Sequence, residues 1–205
     1  PSISSGCSVS PALDPVVKTE RWIIWRRLDE PGTDLCRILR SDGGWHLAGT
    51  ATGLHDGTPL HIDYRVACDP HWLTRTVRLV GWADNRRIDL AIWRDDDGTW
   101  TCNEEPVPAV EGAVDIDLGF TPATNTVAVR RSCLAPGASV ENTAAWFDES
   151  DWTLKPLRQT YRRVTEDRYE YESPANGFKA MLTLDDAGLV RDYPGLWTAI
   201  DRRSE

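Results

Sequence analysis

The chain has 205 residues and a formal net charge of −9, from 32 acidic and 23 basic side chains. That length is enough for one sizeable hydrophobic core. The acidic balance argues against nucleic acid or an anionic membrane surface as a partner held by bulk electrostatics. None of the five cysteines forms a CxxC pair, and their odd number favours a reduced, cytoplasmic setting in which they act as small buried apolar residues.

Residues 1–17 are small, polar and proline-containing, and we predict that they form a disordered arm ahead of a single domain at residues 18–205. They lack the basic start and the apolar run of a secretory signal. The longest apolar run in the chain, residues 22–25, is far too short to cross a bilayer. We therefore expect no transmembrane segment.

Turn signals such as Asp42-Gly43, Asp56-Gly57 and Asp97-Gly98 recur between runs of alternating or β-favouring residues. No segment carries a convincing helical stripe of ten residues. The pattern therefore predicts an all-β domain built mainly from hairpins. The predicted strands outside residues 115–131 are 20–26, 35–40, 44–54, 58–68, 73–83, 87–94, 99–102, 139–147, 155–164, 168–172, 178–184 and 189–193.

Residues 115–131 contain two short alternating runs separated by Thr-Pro and Asn-Thr. An alternation of period two is typical of half-buried strands. We predict a hairpin in which Phe120 faces Val127 on the apolar side and Asp117 faces Arg130 on the opposite side, since apolar and ionic partners both match in that register.

The same register puts Arg131 beside Ile116 on the apolar face. An unpaired guanidinium is too costly to bury there. Two interpretations stay open. Either Arg131 lies at the strand end and reaches solvent along its stem, or the apolar face lines a cavity in which Arg131 anchors a polar group of a ligand.

This stretch resembles the core motif of the bacterial putative glycolipid-binding family, in which an Asp-x-Asp-Leu run leads into Thr-Pro-x-Thr-Asn-Thr and then a double arginine. Residues 115–118, 121–126 and 130–131 carry that motif here. Val127-Ala128 stands where Leu-Pro is usual, and Asp34 where a Glu is expected. Further matches run in the family's order over about residues 20 to 200, among them Gly32-Thr33-Asp34, Tyr64-Arg65-Val66, Trp72-Leu73-Thr74-Arg75, Ala144-Ala145-Trp146 and Tyr169-Glu170-Tyr171.

The resemblance implies one domain made from a long antiparallel meander, likened to carriers of lipoproteins and lipids, and it offers no agreed catalytic residues. Strands this numerous would expose long edges and an apolar face unless the sheet curved. We therefore predict an all-β fold: a single antiparallel meander strongly curled into a roll or barrel around an apolar cavity.

Ten tryptophans against three phenylalanines are spread over almost every predicted strand. Either they fill a thick β core, or some converge on a pocket for an amphipathic or glycosidic ligand, because an indole combines an apolar body with one N–H donor. Our candidate ligand-binding residues are Arg131, Tyr161, Gln159, Tyr64 and Trp72.

Two functional classes share such a cavity. The first is binding of a hydrophobic or amphipathic small molecule, lipid-like and in some cases glycosylated. The second is a cyclase or isomerase that acts on a hydrophobic, polyketide-like intermediate of secondary metabolism by general acid and base catalysis. Its catalytic candidates are Asp34, Asp117 and Tyr161. An enzyme needs at least two titratable groups within hydrogen-bond reach deep inside, whereas a carrier needs one or two anchors near the mouth.

The sequence gives no support for a metal or a cofactor. His61, Asp63 and Arg65 alternate on one face of a predicted strand, which indicates a solvated face rather than metal ligands. The acidic turn at residues 95–98 lacks the downstream acid of a calcium loop. P-loop, dinucleotide and nucleophile-elbow motifs are all missing, so kinase, Rossmann and serine-hydrolase functions are excluded as hypotheses.

Overall fold

The structure is a computed structural model that describes residues 18–200. Its first half is a meander of eight strands. These are β1 (Lys18–Arg27), β2 (Gly32–Ser41), β3 (Gly44–His55), β4 (Thr58–Cys68), β5 (Thr74–Ala83), β6 (Arg86–Arg94), β7 (Trp100–Cys102) and β8 (Glu105–Pro106). The predicted arm at residues 1–17 lies outside the described residues.

The second half contributes seven strands and one α-helix. They are β9 (Asp115–Leu118), α1 (Asn125–Ser132), β10 (Ser139–Asp148), β11 (Thr153–Arg163), β12 (Arg168–Ser173), β13 (Phe178–Leu184), β14 (Val190–Tyr193) and β15 (Trp197–Ala199). Three short 3₁₀ turns lie at Pro108–Val110, Pro122–Thr124 and Pro174–Asn176. No helix within residues 18–200 is long and apolar enough to cross a membrane.

All fifteen strands belong to one sheet in the order β8-β7-β6-β5-β4-β3-β2-β1-β15-β14-β13-β12-β11-β10-β9. Two meanders are therefore joined where β1 pairs with β15, Trp25 lying opposite Ala199. Every strand pair is antiparallel except β9 with β10. The all-β, single-sheet architecture is confirmed.

The alternation that predicted the strands also decides which face is buried. Along β4, Leu60, Ile62, Tyr64 and Val66 are buried, and the residues between them point to the other face. One apolar face per strand, repeated around the sheet, gives a continuous core to which the strands of both meanders contribute. The predicted solvated face of β4 is therefore confirmed.

The sheet curls until the ends of its two meanders approach each other, although no ladder joins β8 to β9. The segment just before β9 bonds to the far end of the first meander: Arg94 Nε and Trp100 Nε1 both donate to the carbonyl oxygen of Ala113, at 2.9 and 3.0 Å. The Ile116 amide donates to Thr74 Oγ1 on β5 at 3.2 Å. These bonds bring the two ends together without a continuous ladder.

The predicted hairpin at residues 115–131 is wrong. Only β9 is a strand, and it pairs in parallel with β10, Ile116 lying opposite Ala145. Two parallel neighbours cannot be joined by a tight turn, so the chain must cross over between them. It does so through a 3₁₀ turn and α1. Asp117 and Arg130 consequently do not pair.

Residues 119–132, which we call the interior segment, lie inside the curl of the sheet. Every residue from Thr121 to Val129 is buried. The alternating valines that suggested a strand belong to the first five residues of α1, which are all buried, whereas Arg130 is exposed and Arg131 and Ser132 are half-buried. A helical stretch that is enclosed on all its sides shows no amphipathic stripe. Thr121 caps the preceding 3₁₀ turn by accepting the Ala123 amide at 3.0 Å, and Cys133 ends α1 in the left-handed conformation.

The structure gives Arg131 a partner within the protein, which neither of the two interpretations named. Its Nε and Nη2 donate to the two carboxylate oxygens of Asp115 at 2.6 and 2.8 Å, and Asn142 donates to the same carboxylate at 2.6 Å. Asp115 is only 1% exposed. A bidentate ion pair thus fastens α1 to the edge strand β9.

We predict that Arg131→Met lowers the free energy of unfolding by about 3 to 5 kcal/mol, because it leaves a buried carboxylate without its cation. Urea denaturation would measure the loss. Adding Asp115→Asn should recover much of it, since the second change removes the stranded charge. The control is Arg158→Met, whose pair with Glu141 is largely exposed. A loss below about 1 kcal/mol in the single variant would contradict this role.

Candidate functional site

Two cavities open at opposite ends of α1. Cavity A, of about 200 Å³, lies at the start of the helix, and cavity B, of about 520 Å³, lies at its end. Cavity A is lined by Asp117, Leu118, Gly119, Thr121, Pro122, Asn125, Trp146, Glu149, Leu157, Tyr171, Ser173, Phe178, Tyr193, Leu196 and Trp197. Cavity B is lined chiefly by Trp45, Trp72, Val129, Arg130, Arg131, Arg163 and Tyr169.

A carboxylate at the end of β9 forms the polar wall of cavity A. Asp117 accepts hydrogen bonds from the Gln159 side-chain amide and, at 3.4 Å, from Thr124 Oγ1. Gln159 also donates to the Tyr171 hydroxyl at 3.1 Å. Burial raises the pKa of Asp117 to about 6, and the two hydrogen bonds oppose that rise only in part. Asp117 can therefore gain or lose a proton near neutral pH.

A second polar contact joins the interior segment to the opposite wall. Asn125 Nδ2, at the first turn of α1, donates to the Tyr161 hydroxyl on β11 at 2.8 Å. The ring of Tyr161 packs 5.0 Å from that of Tyr171, which also meets Phe178 and Tyr193 at 6.1 and 6.2 Å. Cavity A therefore has an aromatic wall next to its hydrogen-bonding groups.

Two buried polar atoms in the wall of cavity A have no hydrogen-bond partner among the described residues. They are Ser173 Oγ and Glu149 Oε2, whose residues are 2% and 8% exposed. Buried polar groups are nearly always paired, so two unpaired atoms that line one cavity indicate a site for a polar ligand group or for water.

Gly119, the residue after β9, leaves room for the carboxylate of Glu149 because it has no side chain. A Cβ on Gly119 would lie 2.2 Å from Glu149 Oε2 and 2.9 Å from Trp146 Nε1. Burial raises the pKa of Glu149, while His55, whose Nδ1 lies 3.5 Å from Oε1, opposes the rise. The close approach of the backbone at Gly119 therefore decides where the Glu149 carboxylate lies in the wall of cavity A.

A second buried acid lies behind the cavity. Asp34 Oδ2 accepts hydrogen bonds from the Tyr64 hydroxyl at 2.9 Å and from Thr121 Oγ1, while its Oδ1 has no partner among the described residues. Burial raises the pKa of Asp34 to about 7, although both hydrogen bonds lower it. Of these three residues only Thr121 lines cavity A.

The structure separates the candidate residues into three places. Asp117 with Gln159 and Tyr161 lies at or directly behind cavity A. Asp34 with Tyr64 forms the buried pair behind Thr121. Trp72 and Arg131 line cavity B. No group of His, Cys, Asp and Glu among the described residues could hold a metal ion.

Sequence reasoning missed Glu149, Ser173, Trp146 and Asn125. Asn125 belongs to the motif at residues 121–126, which was noticed but interpreted as a turn. Glu149 directly follows β10, and Ser173 is the last residue of β12. No local sequence pattern marks either residue. They become site residues only because the curl of the sheet brings both into the wall of cavity A.

We predict that Asp34→Asn stabilises the protein relative to the wild type increasingly as the pH rises from about 4 to about 7. In that window the folded wild type holds a proton that the unfolded chain has released, so rising pH favours unfolding. Each such pH unit is worth up to about 1.4 kcal/mol. Urea midpoints at the two ends of the window measure the effect, with exposed Asp192→Asn as control. A difference that does not change with pH would refute the raised pKa.

The model of the family described as "Putative glycolipid-binding" matches residues 22–199. A crystal structure of a DUF1089 family protein from Pseudomonas aeruginosa is similar with a TM-score of 0.72 and 31% sequence identity, over 82% of this chain and 91% of that chain. No curated protein matches the chain. The resemblance suggested by the motif at residues 115–131 is confirmed, and the chain belongs to the putative glycolipid-binding family.

Proposed function

We propose that cavity A binds the polar end of a hydrophobic or amphipathic small molecule, such as the sugar of a glycosylated lipid. The observation that carries this proposal is the pair of unpaired buried atoms, Ser173 Oγ and Glu149 Oε2, beside the carboxylate of Asp117. Acceptors and a hydroxyl that converge in a buried cavity suit a ligand group rich in O–H donors.

The walls complete this chemistry. Trp146, Trp197, Tyr171 and Phe178 give cavity A ring faces that can pack on the apolar face of a sugar or on an aliphatic stem. A site with mostly apolar walls and a few placed polar groups is the usual form of a small-molecule site.

The size of cavity A limits what it can enclose. Small-molecule pockets commonly measure about 300 to 1,000 Å³, and cavity A measures about 200 Å³. It therefore takes one head group, and the rest of an amphipathic ligand lies outside cavity A. The family's description supports a ligand of this class.

We predict that the protein binds octyl β-glucoside below its micellar concentration, and that Ser173→Ala weakens this binding about fivefold because one neutral hydrogen bond is lost. Trp146→Leu should weaken it further by removing a ring face. Isothermal titration measures both. The matched controls are Ser139→Ala and Trp93→Leu, since Ser139 is exposed and Trp93 is 53% exposed.

Octanol and glucose titrated separately test whether both parts of the ligand are needed. Each should bind more weakly than octyl β-glucoside. Equal affinity of wild type, Ser173→Ala and Trp146→Leu for the glucoside would remove cavity A as the binding site.

A second candidate function, general acid and base catalysis on a hydrophobic substrate, rests on a different observation. Asp117 combines a pKa of about 6 with a position in the cavity wall. A carboxylate that titrates near working pH is suited to proton transfer. Its neighbours Gln159 and Tyr171 would hold it in place. Isomerisation or ring closure at one polar end of a polyketide-like chain is a reaction class that uses such a group.

The base-catalysed ring opening of 5-nitrobenzisoxazole tests this candidate. A carboxylate removes the ring C–H proton, the N–O bond breaks, and a coloured cyanophenolate forms. We expect a protein-dependent rate that rises with pH through about 6, as Asp117 ionises, and that falls at least about tenfold in Asp117→Asn. Asp192→Asn is the control. An equal rate in Asp117→Asn would exclude Asp117 as a base.

A further inference from the structure

We propose that cavity B is a second site, distinct from cavity A, that binds a small organic oxyanion: a phosphate or carboxylate group on an aromatic or apolar body. In this site Arg130 and Arg163 hold the anionic group, and the indole of Trp72 packs against the body. The volume of about 520 Å³ lies within the range of small-molecule sites.

The indole wall of cavity B is fixed by an unusual backbone conformation. Trp72 has φ of 67°, a region that bulky residues rarely adopt, so its turn must hold it there. Asp69 does so: its carboxylate accepts the amides of His71 and Leu73 at 2.9 and 3.0 Å. In this position Trp72 stacks on Trp45 with ring centroids 5.0 Å apart.

Arg130 lies over this stacked pair. Its guanidinium carbon is 5.5 Å from the Trp72 ring and 6.0 Å from the Trp45 ring. The stem of Arg130 passes Gly188, where an added Cβ would lie 3.1 Å from its Cδ. The indoles and the glycine together set the direction of the side chain, which lowers the entropy lost when the guanidinium binds an anion.

Some of the charged side chains that line cavity B are already paired within the protein, and others could bind a ligand. Arg131 is neutralised by Asp115, and Asp186 by Arg21 at 2.7 Å. Asp185 also lines the cavity and keeps its carboxylate, which accepts the amides of Ala187 and Leu189 within its own turn.

The remaining charged side chains on the wall of cavity B are Arg130, Arg163 and Glu166. Glu166 is exposed at the rim. Within residues 18–200, Arg163 donates only to main-chain oxygens, those of Leu134, Thr165 and Glu166. Arg130 makes only ring contacts among the interactions described. Two guanidiniums in this cavity therefore lack a carboxylate partner in the part of the chain that the structure describes.

Both guanidiniums lie in the wall of this one cavity. Arg163 packs 5.6 Å from the Tyr169 ring, and Arg130 lies over the Trp72 ring. Tyr169 lines the same cavity, and its hydroxyl is itself a donor. Two guanidiniums and a hydroxyl form the recognition set for a phosphate or carboxylate.

The test is isothermal titration of the full chain with phenyl phosphate, benzoate and phenol, which share a ring and differ in charge. We expect at least one anion to bind at least tenfold more tightly than phenol and to weaken as salt is added. The preferred anion assigns the ligand to the phosphate or carboxylate class. Phenol binding as tightly as both anions, or no binding of either anion at millimolar concentration, would overturn the proposal.

Variants locate the site. Arg130→Gln should weaken binding of the preferred anion at least tenfold, and Arg130→Lys should weaken it less because it keeps the charge. Arg158→Gln, on the outer surface, and Ser173→Ala, in cavity A, should leave it unchanged. Equal affinity of Arg130→Gln and wild type would overturn the proposal, as would a loss in Ser173→Ala as large as that in Arg130→Gln. Matching thermal midpoints confirm that the variants compared are folded.

Discussion

A helix whose first five residues are buried inside a curled β-sheet has to satisfy their polar groups against that sheet, and this requirement organises the molecule. The interior segment does so with side chains from its own motif: Thr121 donates to Asp34, Asn125 to Tyr161, and Arg131 to Asp115. Thr124 accepts the Leu118 amide at 3.1 Å. The first role of the motif at residues 121–126 is therefore structural: its side chains hydrogen-bond the interior segment to the surrounding sheet.

The two cavities follow from this arrangement. A helix shorter than the roll fills its middle and leaves space at both ends, and the polar groups that line those spaces come from the sheet and its loops and from the last turn of the helix itself. At the start of α1 these are Ser173 and Glu149; at its end they are Arg130 and Arg163. The difference in charge between the two ends explains why we assign neutral hydroxyl groups to one and an oxyanion to the other.

Much of the sheet could be predicted from the sequence, because apolar and polar residues alternate along a half-buried strand, and this alternation shows which face each residue occupies. The predicted range of β4 agrees with the structure at both ends, as does that of β13. The wrong hairpin prediction at residues 115–131 also came from alternation. Val127 and Val129 alternate, but enclosure by the surrounding sheet also tolerates apolar residues at every helical position, and no local signal separates the two cases.

The candidate site was predictable to the extent that its residues lie in patterns. Asp117, Gln159 and Tyr161 were chosen from the motif and the strands, and the structure brings them together. Arg131 was chosen from an apolar-face argument that assumed the wrong partner strand; it pairs with Asp115 and lines cavity B. Glu149 was out of reach, because its burial depends on contacts between β9 and β10, which only the parallel crossover creates.

The pairing of β1 with β15 has a consequence for how the protein is made. Among the described residues a strand ladder joins the two meanders only where β1 pairs with β15, so the first meander keeps an unpaired edge at β1 until β15 has been synthesised. Contacts this distant in sequence form slowly, and open edges invite pairing with other chains. Trp197 lies in β15 and also lines cavity A, so the cavity and the cover for that edge are completed in the same step.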